Sequence, residues 1–562
     1  MATRDHKAER KGDVDKIRES NSPRKIVVAG PGTGKSRLFT ELIKKKRAEG
    51  KRDFFAITFI GKLGDALADD LCGLATTHTM HGFARSFVLQ HTRGWNYYPK
   101  IDKIIEEDLA ADGIHEFDIG DENYIRKSKH YRAVGDNDVV YYAAEICRKD
   151  PKKIPRYDLI LIDEYQDFNE TESKLVDILA TKNEMVVVGD DDQALYAFKG
   201  SSPAFIRAKY HDSNDDWASF SLRFCSRCTA VIIGSFHRVV KHFDLNQPNE
   251  TDIAKKRIEK EYICYLTGKE DGKDADSSTN PAIHLIKNCP PGMIAYKIQS
   301  ELETIIEVQK IKEVLVIGEG QSCAAILQAI SQQLKSYGFK NVDHRGSADS
   351  IQLKHEVIDA YRFIGRDSES LLGWRILGNP PASERVRHIE NAASLLLLID
   401  GTPSKIAEIK PAAIMQLERE IENWTAPKKK STASKRRGSV GTAAAPLSRE
   451  EENEQIRKKV LVQTLRRSTV FLPRPLGNLD ITVCNILSSK GLGADVVFLV
   501  GFDQGKFPAK TQATESEIYQ MLVGMTRAKK RIYLVNTVNC GVSNFIDGFD
   551  GATLSIKEVD SH

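Results

Sequence analysis

KIVVAGPGTGKSRLF, residues 25–39, decides how the rest of the chain is read. Its first five residues, 25–29, form an unbroken apolar run of the kind a buried parallel strand requires, and residues 35–48 carry a helical pattern. Between them Gly30, Pro31, Gly32, Thr33 and Gly34 form a turn. Glycines there let backbone N–H groups converge on phosphate oxygens without a Cβ in the way, while the helix that follows presents its positive end. Lys35 then reaches the β- and γ-phosphates, and Ser36 is placed to ligate Mg²⁺. The strict motif G-x-x-x-x-G-K-[ST] has Ala29 where its first glycine stands.

Working outward, FFAITFI (54–60), YDLILIDEYQD (157–167) and EMVVVGDDDQ (184–193) read as further strands of the same sheet, the last two ending on acidic residues. In doubly wound sheets, ligands bind at the carboxyl ends of the strands. Asp163 and Glu164 sit at such an end. One carboxylate holds Mg²⁺ through its water shell; the other orients and deprotonates an attacking water. A glycine loop paired with a strand-borne Asp-Glu makes a nucleoside triphosphatase.

EVLVIGEG (313–320), ITVCNI (481–486), DVVFLVGF (495–502) and RIYLVN (531–536) supply strands for a second sheet. Two α/β lobes account for the pattern, each interrupted by an insertion. Residues 85–157 read as mainly helical. Within 379–475, the tract APKKKSTASKRRGSVGTAAAP (426–446) is basic, low in complexity and free of aromatics, so it reads as a solvated linker or as an arm touching DNA phosphates. With 82 basic and 78 acidic residues the net charge is only +4, so any polyanion footprint is local. No run reaches the roughly 18 apolar residues of a membrane span, the charged N-terminus does not read as a secretory signal, and nine scattered cysteines do not read as a disulfide framework. A cytoplasmic protein is expected.

The motifs AGPGTGKSR, ITFIGKLGDAL, TMHGFAR, LIDEYQDFNE, VVGDDDQALYAFKG, LRFCSRC, SSKGLGADVVFLVG and LVGMTRAKKRIYL follow one another in an order that closely resembles the UvrD/Rep/PcrA family of superfamily 1 DNA helicases. That family also has Ala where this chain has Ala29. The resemblance implies two RecA-like lobes that close on ATP and Mg²⁺ and move along single-stranded DNA or at single-strand/duplex junctions, 3′ to 5′. By motif it assigns Gln193 to sensing the γ-phosphate and attacking water, Arg227 and Arg527 to transition-state charge, Arg37 to the base or ribose, and Gly491 to the nucleotide site. It assigns Phe59, His81, Tyr196, Phe198 and Lys199 to DNA. Aromatic rings stack on bases whatever the sequence, which suits a motor.

Departures from the pattern cluster at the base and sugar. No Gln precedes the phosphate loop, the first being Gln90; Ser226 replaces the ring expected on adenine; Gly493 replaces a Glu expected at the ribose, and Leu487 a His. A weakened preference for ATP follows. Cys225 and Cys228, with His237 and His242 downstream, also raise a zinc reading, although the spacing is shorter than the usual finger. The expected domains are 1–84 and 158–222 (first lobe), 85–157 (its insertion), 223–378 and 476–562 (second lobe) and 379–475 (a reduced insertion). The expected function is a DNA-dependent ATPase, translocase and helicase that unwinds duplex or displaces bound protein in DNA repair or related metabolism. The alternatives are a motor subunit partnered by a nuclease in repair or phage defence, and an ATP-gated DNA-binding switch.

Overall fold

Strand Arg24–Ala29 lies in the middle of a sheet, hydrogen-bonded in parallel to Met185–Gly189 on one side and to Ala218–Leu222 on the other, with Ile26 opposite Val187 and Ser219. Burial on both faces is why its sequence is apolar without alternation. The computed structural model describes residues 5–59, 61–212, 216–245, 250–265, 281–319, 321–345, 355–381, 385, 388–389, 479–510 and 512–559. The tract 426–446, and with it nearly all of the expected insertion 379–475, lies outside the described residues.

The first sheet has six parallel strands in the order Thr76–Thr79, Phe54–Thr58, Leu159–Ile162, Met185–Gly189, Arg24–Ala29, Ala218–Leu222. Strand order reverses between the phosphate-loop strand and its neighbours, the topological position at which such sheets bind ligands. Helix Lys35–Ala48 buries Leu38, Phe39, Leu42 and Ile43 against Val27, Leu161 and Val188. Deleting one such side chain costs about 2–5 kcal/mol, so the helix and its N-terminal loop are held firmly over the strand ends. The second sheet has seven parallel strands, in the order Asn341–Arg345, Asp480–Asn485, Glu313–Gly318, Ala494–Val500, Ala528–Thr537, Ile283–Cys289, Leu554–Glu558. These are two RecA-like lobes. Both belong to one compact unit made of residues 1–80, 154–347 and 447–562.

Residues 81–153 and 348–446 make up a second unit. In it, helices Ile101–Ala111 and Glu122–Tyr131 pack Ile101, Ile105, Leu109 and Tyr124 against Phe363 and Leu372. Helices His355–Arg366 and Leu371–Ile376, drawn with the second lobe in the sequence reading, therefore cluster with the helical insertion of the first. Arg375 fixes the arrangement by donating to Asp108 and Glu107, each at 3.0 Å. Trp374, left open between core and DNA, is buried there, its ring N–H donating to the Ser368 carbonyl at 2.8 Å. Among the described residues no helix is long and apolar enough to cross a membrane.

Candidate active site

The phosphate loop owes its shape to two left-handed residues, Gly32 (φ 70°) and Gly34 (φ 95°), the latter capping helix Lys35–Ala48. Thr33 closes the turn from inside by donating its hydroxyl to the Gly30 carbonyl at 2.8 Å. The loop is also clamped from the far side. Ser226 donates its backbone N–H and its hydroxyl to the Gly32 carbonyl, at 2.9 and 3.0 Å. Tyr262 places its hydroxyl 2.6 Å from the Pro31 carbonyl, and its ring is so close that a side chain at Gly30 would lie 2.9 Å from it. A cavity of about 360 Å³ opens between Gly32, Gly34, Lys35, Ser36 and Arg37 on the loop side and Ser226, Arg227 and Lys529 opposite.

Behind the loop, Glu164 follows strand Leu159–Ile162 in a left-handed conformation (φ 54°) that aims its carboxylate at Lys35, 2.9 Å away. Gln166 donates to its other oxygen at 2.7 Å, and Lys490 stands 3.8 Å off. Burial alone would raise the Glu164 pKa, but Lys35 and Lys490 outweigh it and hold the group well below the usual carboxylate range. Burial likewise opposes the charge on Lys35, and Glu164, then Asp163, overcome it and raise the ammonium's pKa. Asp163 is the contrasting member of the pair. Burial pushes it up to about 6 against the pull of Lys35, and it accepts the Glu164 N–H at 3.0 Å. A carboxyl lifted that far is one that a bound cation would return to its ionised form, so Asp163 with Ser36 fits Mg²⁺.

Three strand-end acids, Asp190, Asp191 and Asp192, are fully buried. They share Lys260, which bridges all three, while Arg257 grips Asp192 through two bonds of 2.6 Å and Arg207 donates to Asp191 at 3.0 Å. This is the group of carboxylates, thiols or imidazoles close enough to hold a metal among the described residues, and its charges are already matched by the three cations. His237 is spent on the Tyr262 carbonyl at 2.8 Å, which does not favour the zinc reading at Cys225 and Cys228.

Gln193 joins the lobes. It donates to Asp190 at 2.6 Å and accepts from Arg527 of the second lobe at 3.0 Å. Arg527 is 2% exposed, and its other acceptors are the Val523 and Leu492 carbonyls and the Thr526 hydroxyl, so among the described residues no carboxylate is hydrogen-bonded to it. Burial, then the nearby Arg227, lowers its pKa to about 10. Arg227 donates to the same Leu492 carbonyl at 3.4 Å and lies across Gly493, where a Cβ would stand 3.2 Å from its Nε. Gly491, at φ 82°, turns this loop. Lys35, Ser36, Arg37 and Arg227 thus line the cavity, and behind it contacts run from Lys35 through Glu164, beside Asp163, and Lys490 to Gln193 and Arg527.

The residues assigned to DNA are arranged less simply. Phe59 packs partly buried against an apolar cluster that includes residues of both lobes, 4.9 Å from the Tyr196 ring, and Tyr196 itself is 5% exposed. In this conformation the Tyr196 ring is buried between its neighbours. Phe198 is 70% exposed, 6.0 Å from Tyr196, with Lys199 alongside, its Nζ 5.8 Å from that same ring. His81 begins the second compact unit, on the first turn of helix Met80–His91.

Sequence reasoning missed Lys490, which is buried, pairs with Asp167 and donates to the Gln193 carbonyl at 3.0 Å. Asp167 stands inside LIDEYQDFNE and Lys490 inside SSKGLGADVVFLVG, where a charged residue beside a strand end was a usable signal. Tyr262, Lys260 and Arg257 fall in a stretch with no periodicity, and no local signal marks them.

Fold and site together define a two-lobed P-loop nucleotide-binding protein. Residues 15–199 match the AAA domain family and residues 411–539 the UvrD-like helicase C-terminal domain. The putative ATP-dependent DNA helicase YjcD of Bacillus subtilis is 23% identical over 472 residues, which cover 74% of this chain and 56% of the relative. The ATP-dependent DNA helicase UvrD2 of Mycobacterium tuberculosis is 22% identical over 390 residues, covering 67% and 47%. A shorter match, 31% over 91 residues, links 16% of this chain to 8% of the exonuclease/helicase subunit RexA of Lactococcus lactis. The chain is UvrD-like, and it spans about half the length of the two long curated relatives.

Proposed function

We propose that this chain is an ATP-dependent DNA helicase, a DNA-stimulated nucleoside triphosphatase that moves along single strands. The observation that carries this reading is the Arg527–Gln193 contact at 3.0 Å, a second-lobe cation held against a first-lobe side chain at the phosphate edge. An arriving triphosphate competes with Glu164 for Lys35. Once Lys35 turns to the phosphates, Glu164 is left to orient and deprotonate water, and Gln193 stands between that water and Arg527. Arg227 and Arg527 stabilise charge that develops on the transferred phosphoryl group. Asp163 and Ser36 would hold Mg²⁺, which supplies Lewis-acid polarisation of that group. Hydrolysis removes the anion that both arginines face, so lobe contact depends on the state of the nucleotide.

DNA as the polymer is supported by the names of the relatives and by Phe198 with Lys199, an exposed ring beside a cation. The 3′-to-5′ direction and a role in repair are inferred from the family resemblance. A nuclease partner rests on the short match to the exonuclease/helicase protein RexA. The decisive measurement is hydrolysis with and without single-stranded DNA, in wild type and Glu164→Gln, together with strand separation on a tailed duplex. Hydrolysis that DNA does not stimulate would sink the reading; stimulation without translocation would leave the nucleotide-gated switch.

A further inference from the structure

C-x-x-C at residues 225–228 is the motif that the nucleotide chemistry leaves unexplained, and the structure gives it a specific setting. Cys225 ends the short strand Phe224–Cys225, and Cys228 precedes Thr229, which caps helix Ala230–His242 with its side chain. Both thiols are fully buried. The Cys225 sulfur accepts the backbone N–H groups of Arg227 at 3.4 Å and Cys228 at 3.3 Å, and the Tyr262 hydroxyl lies 3.1 Å away. The Cys228 thiol itself donates to the Thr526 carbonyl at 3.6 Å. Burial would raise the Cys225 pKa, but the donors around its sulfur outweigh it and bring the group down to about 6. Cys225 lies on the strand that precedes this helix, and a hydrogen-bonded sulfur of lowered pKa with a second thiol three residues on is the C-x-x-C arrangement of a reactive dithiol.

We infer that Cys225 and Cys228 are a redox-modification site, a dithiol that a small hydroperoxide oxidises to an intramolecular disulfide beneath the phosphate loop. The Cys225 thiolate attacks the peroxide O–O bond and becomes a sulfenic acid, and the departing hydroxide takes up a proton to leave as water. The Cys228 sulfur then attacks the Cys225 sulfur; the S–S bond forms, the S–O bond breaks, and the thiol proton leaves with the hydroxyl as a second water. Peroxide is reduced by the two electrons the thiols lose. Ser226 and Arg227, the two residues between the cysteines, line the nucleotide cavity, so peroxide reaches the buried sulfurs from that side only when this segment moves.

The consequence reaches the nucleotide site by contact. A side chain on Gly32 would stand 3.2 Å from the Cys225 sulfur and would run into Arg227. Closing the disulfide takes the Cys225 sulfur out of its hydrogen bonds and pulls on the peptide that carries Arg227. Ser226, which clamps Gly32, lies in the same closed ring.

The test uses the reduced full chain, exposed to hydrogen peroxide and digested with trypsin without reductant. Because trypsin cuts after Arg227, the disulfide must appear as peptide 224–227 joined to peptide 228–238. Hydrolysis should fall about a hundredfold, the loss expected when a transition-state donor is displaced, and return with dithiothreitol. Cys228→Ser should abolish both the joined peptide and the reversible loss. Cys264, which donates to the Cys228 carbonyl at 3.5 Å, is the competing thiol. Cross-links through Cys264, or a reversible loss with peptides 224–227 and 228–238 unjoined, would overturn the inference. This inference rests on the proposed function only for its activity readout: a joined peptide in a chain that hydrolyses nothing would refute that function and leave the dithiol standing.

Discussion

Among the described residues Arg527 is a buried cation hydrogen-bonded only to neutral oxygens, and replacing it with methionine separates its cost from its use. The drop in its pKa from 12.5 to about 10 corresponds to about 3 kcal/mol held against the charged form in the nucleotide-free fold. Arg527→Met relieves that penalty and gives up four hydrogen bonds, each contributing about 0.5–1.5 kcal/mol. The two effects nearly offset, so the melting temperature without nucleotide should shift by no more than about 2–4 °C. A γ-phosphate would supply the missing anion, so affinity for a non-hydrolysable triphosphate should fall about a hundredfold while that for the diphosphate holds. Turnover should drop about a thousandfold, the lower range for an arginine of this role. Differential scanning fluorimetry and isothermal titration with both nucleotides provide the readouts. A collapse in melting temperature, or equal losses for di- and triphosphate, would refute the argument that Arg527 is kept charged and unpaired for an anion.

Glu164→Gln should lower turnover by about 10²–10⁴ while triphosphate binding tightens, because Lys35 loses its resident partner; weaker binding in a filter assay would contradict the competition. Asp163 and Asp167 both have burial-raised pKa values of about 6, so hydrolysis should rise with pH through that value, and added Mg²⁺ should move the limb to lower pH. Stability runs the other way: native Asp163 keeps its proton up to about 6 whereas the unfolded group loses it near 3.8, so its contribution falls as pH rises across that window. With Ser226 and Gly493 at the base and sugar positions, ATP, GTP and CTP in competition should be hydrolysed at rates closer than tenfold, by the roughly 1.4 kcal/mol that one lost contact represents; a strong ATP preference would point to other readers, such as Arg10 stacked 4.5 Å from Tyr265. Phe198→Ala should weaken single-strand binding by about 1–3 kcal/mol with hydrolysis in the absence of DNA unchanged, measured by fluorescence anisotropy.

Central strands and the residues at their ends were legible because buried parallel strands read as unbroken apolar runs, and phosphate chemistry restricts what can follow them. The strand Thr76–Thr79 was not, since it is short, polar and at a sheet edge; Ala218–Leu222, Asn341–Arg345 and Leu554–Glu558 are also edge strands with mixed faces. Strand Ile283–Cys289 was apolar enough to read and was overlooked. Lys35, Asp163, Glu164, Gln193 and Arg527 could be singled out in the sequence because their chemistry is local to a motif. Lys260 and Arg257 pair with carboxylates some 65–70 positions away, a relation that no short window of sequence contains.

Asp190, Asp191 and Asp192 with Lys260, Arg257 and Arg207 form a buried set of six charged groups, from which Arg207 also reaches the exposed Glu515 at 3.3 Å. Losing one partner of a buried pair costs about 3–5 kcal/mol, a large part of a typical domain's margin. Single-step drift at any of these positions is therefore blocked in either direction, and a viable descendant has to exchange an acid and a base together. In any collection of descendants of this chain, the acidic triplet and the basic trio should be inherited or lost as one.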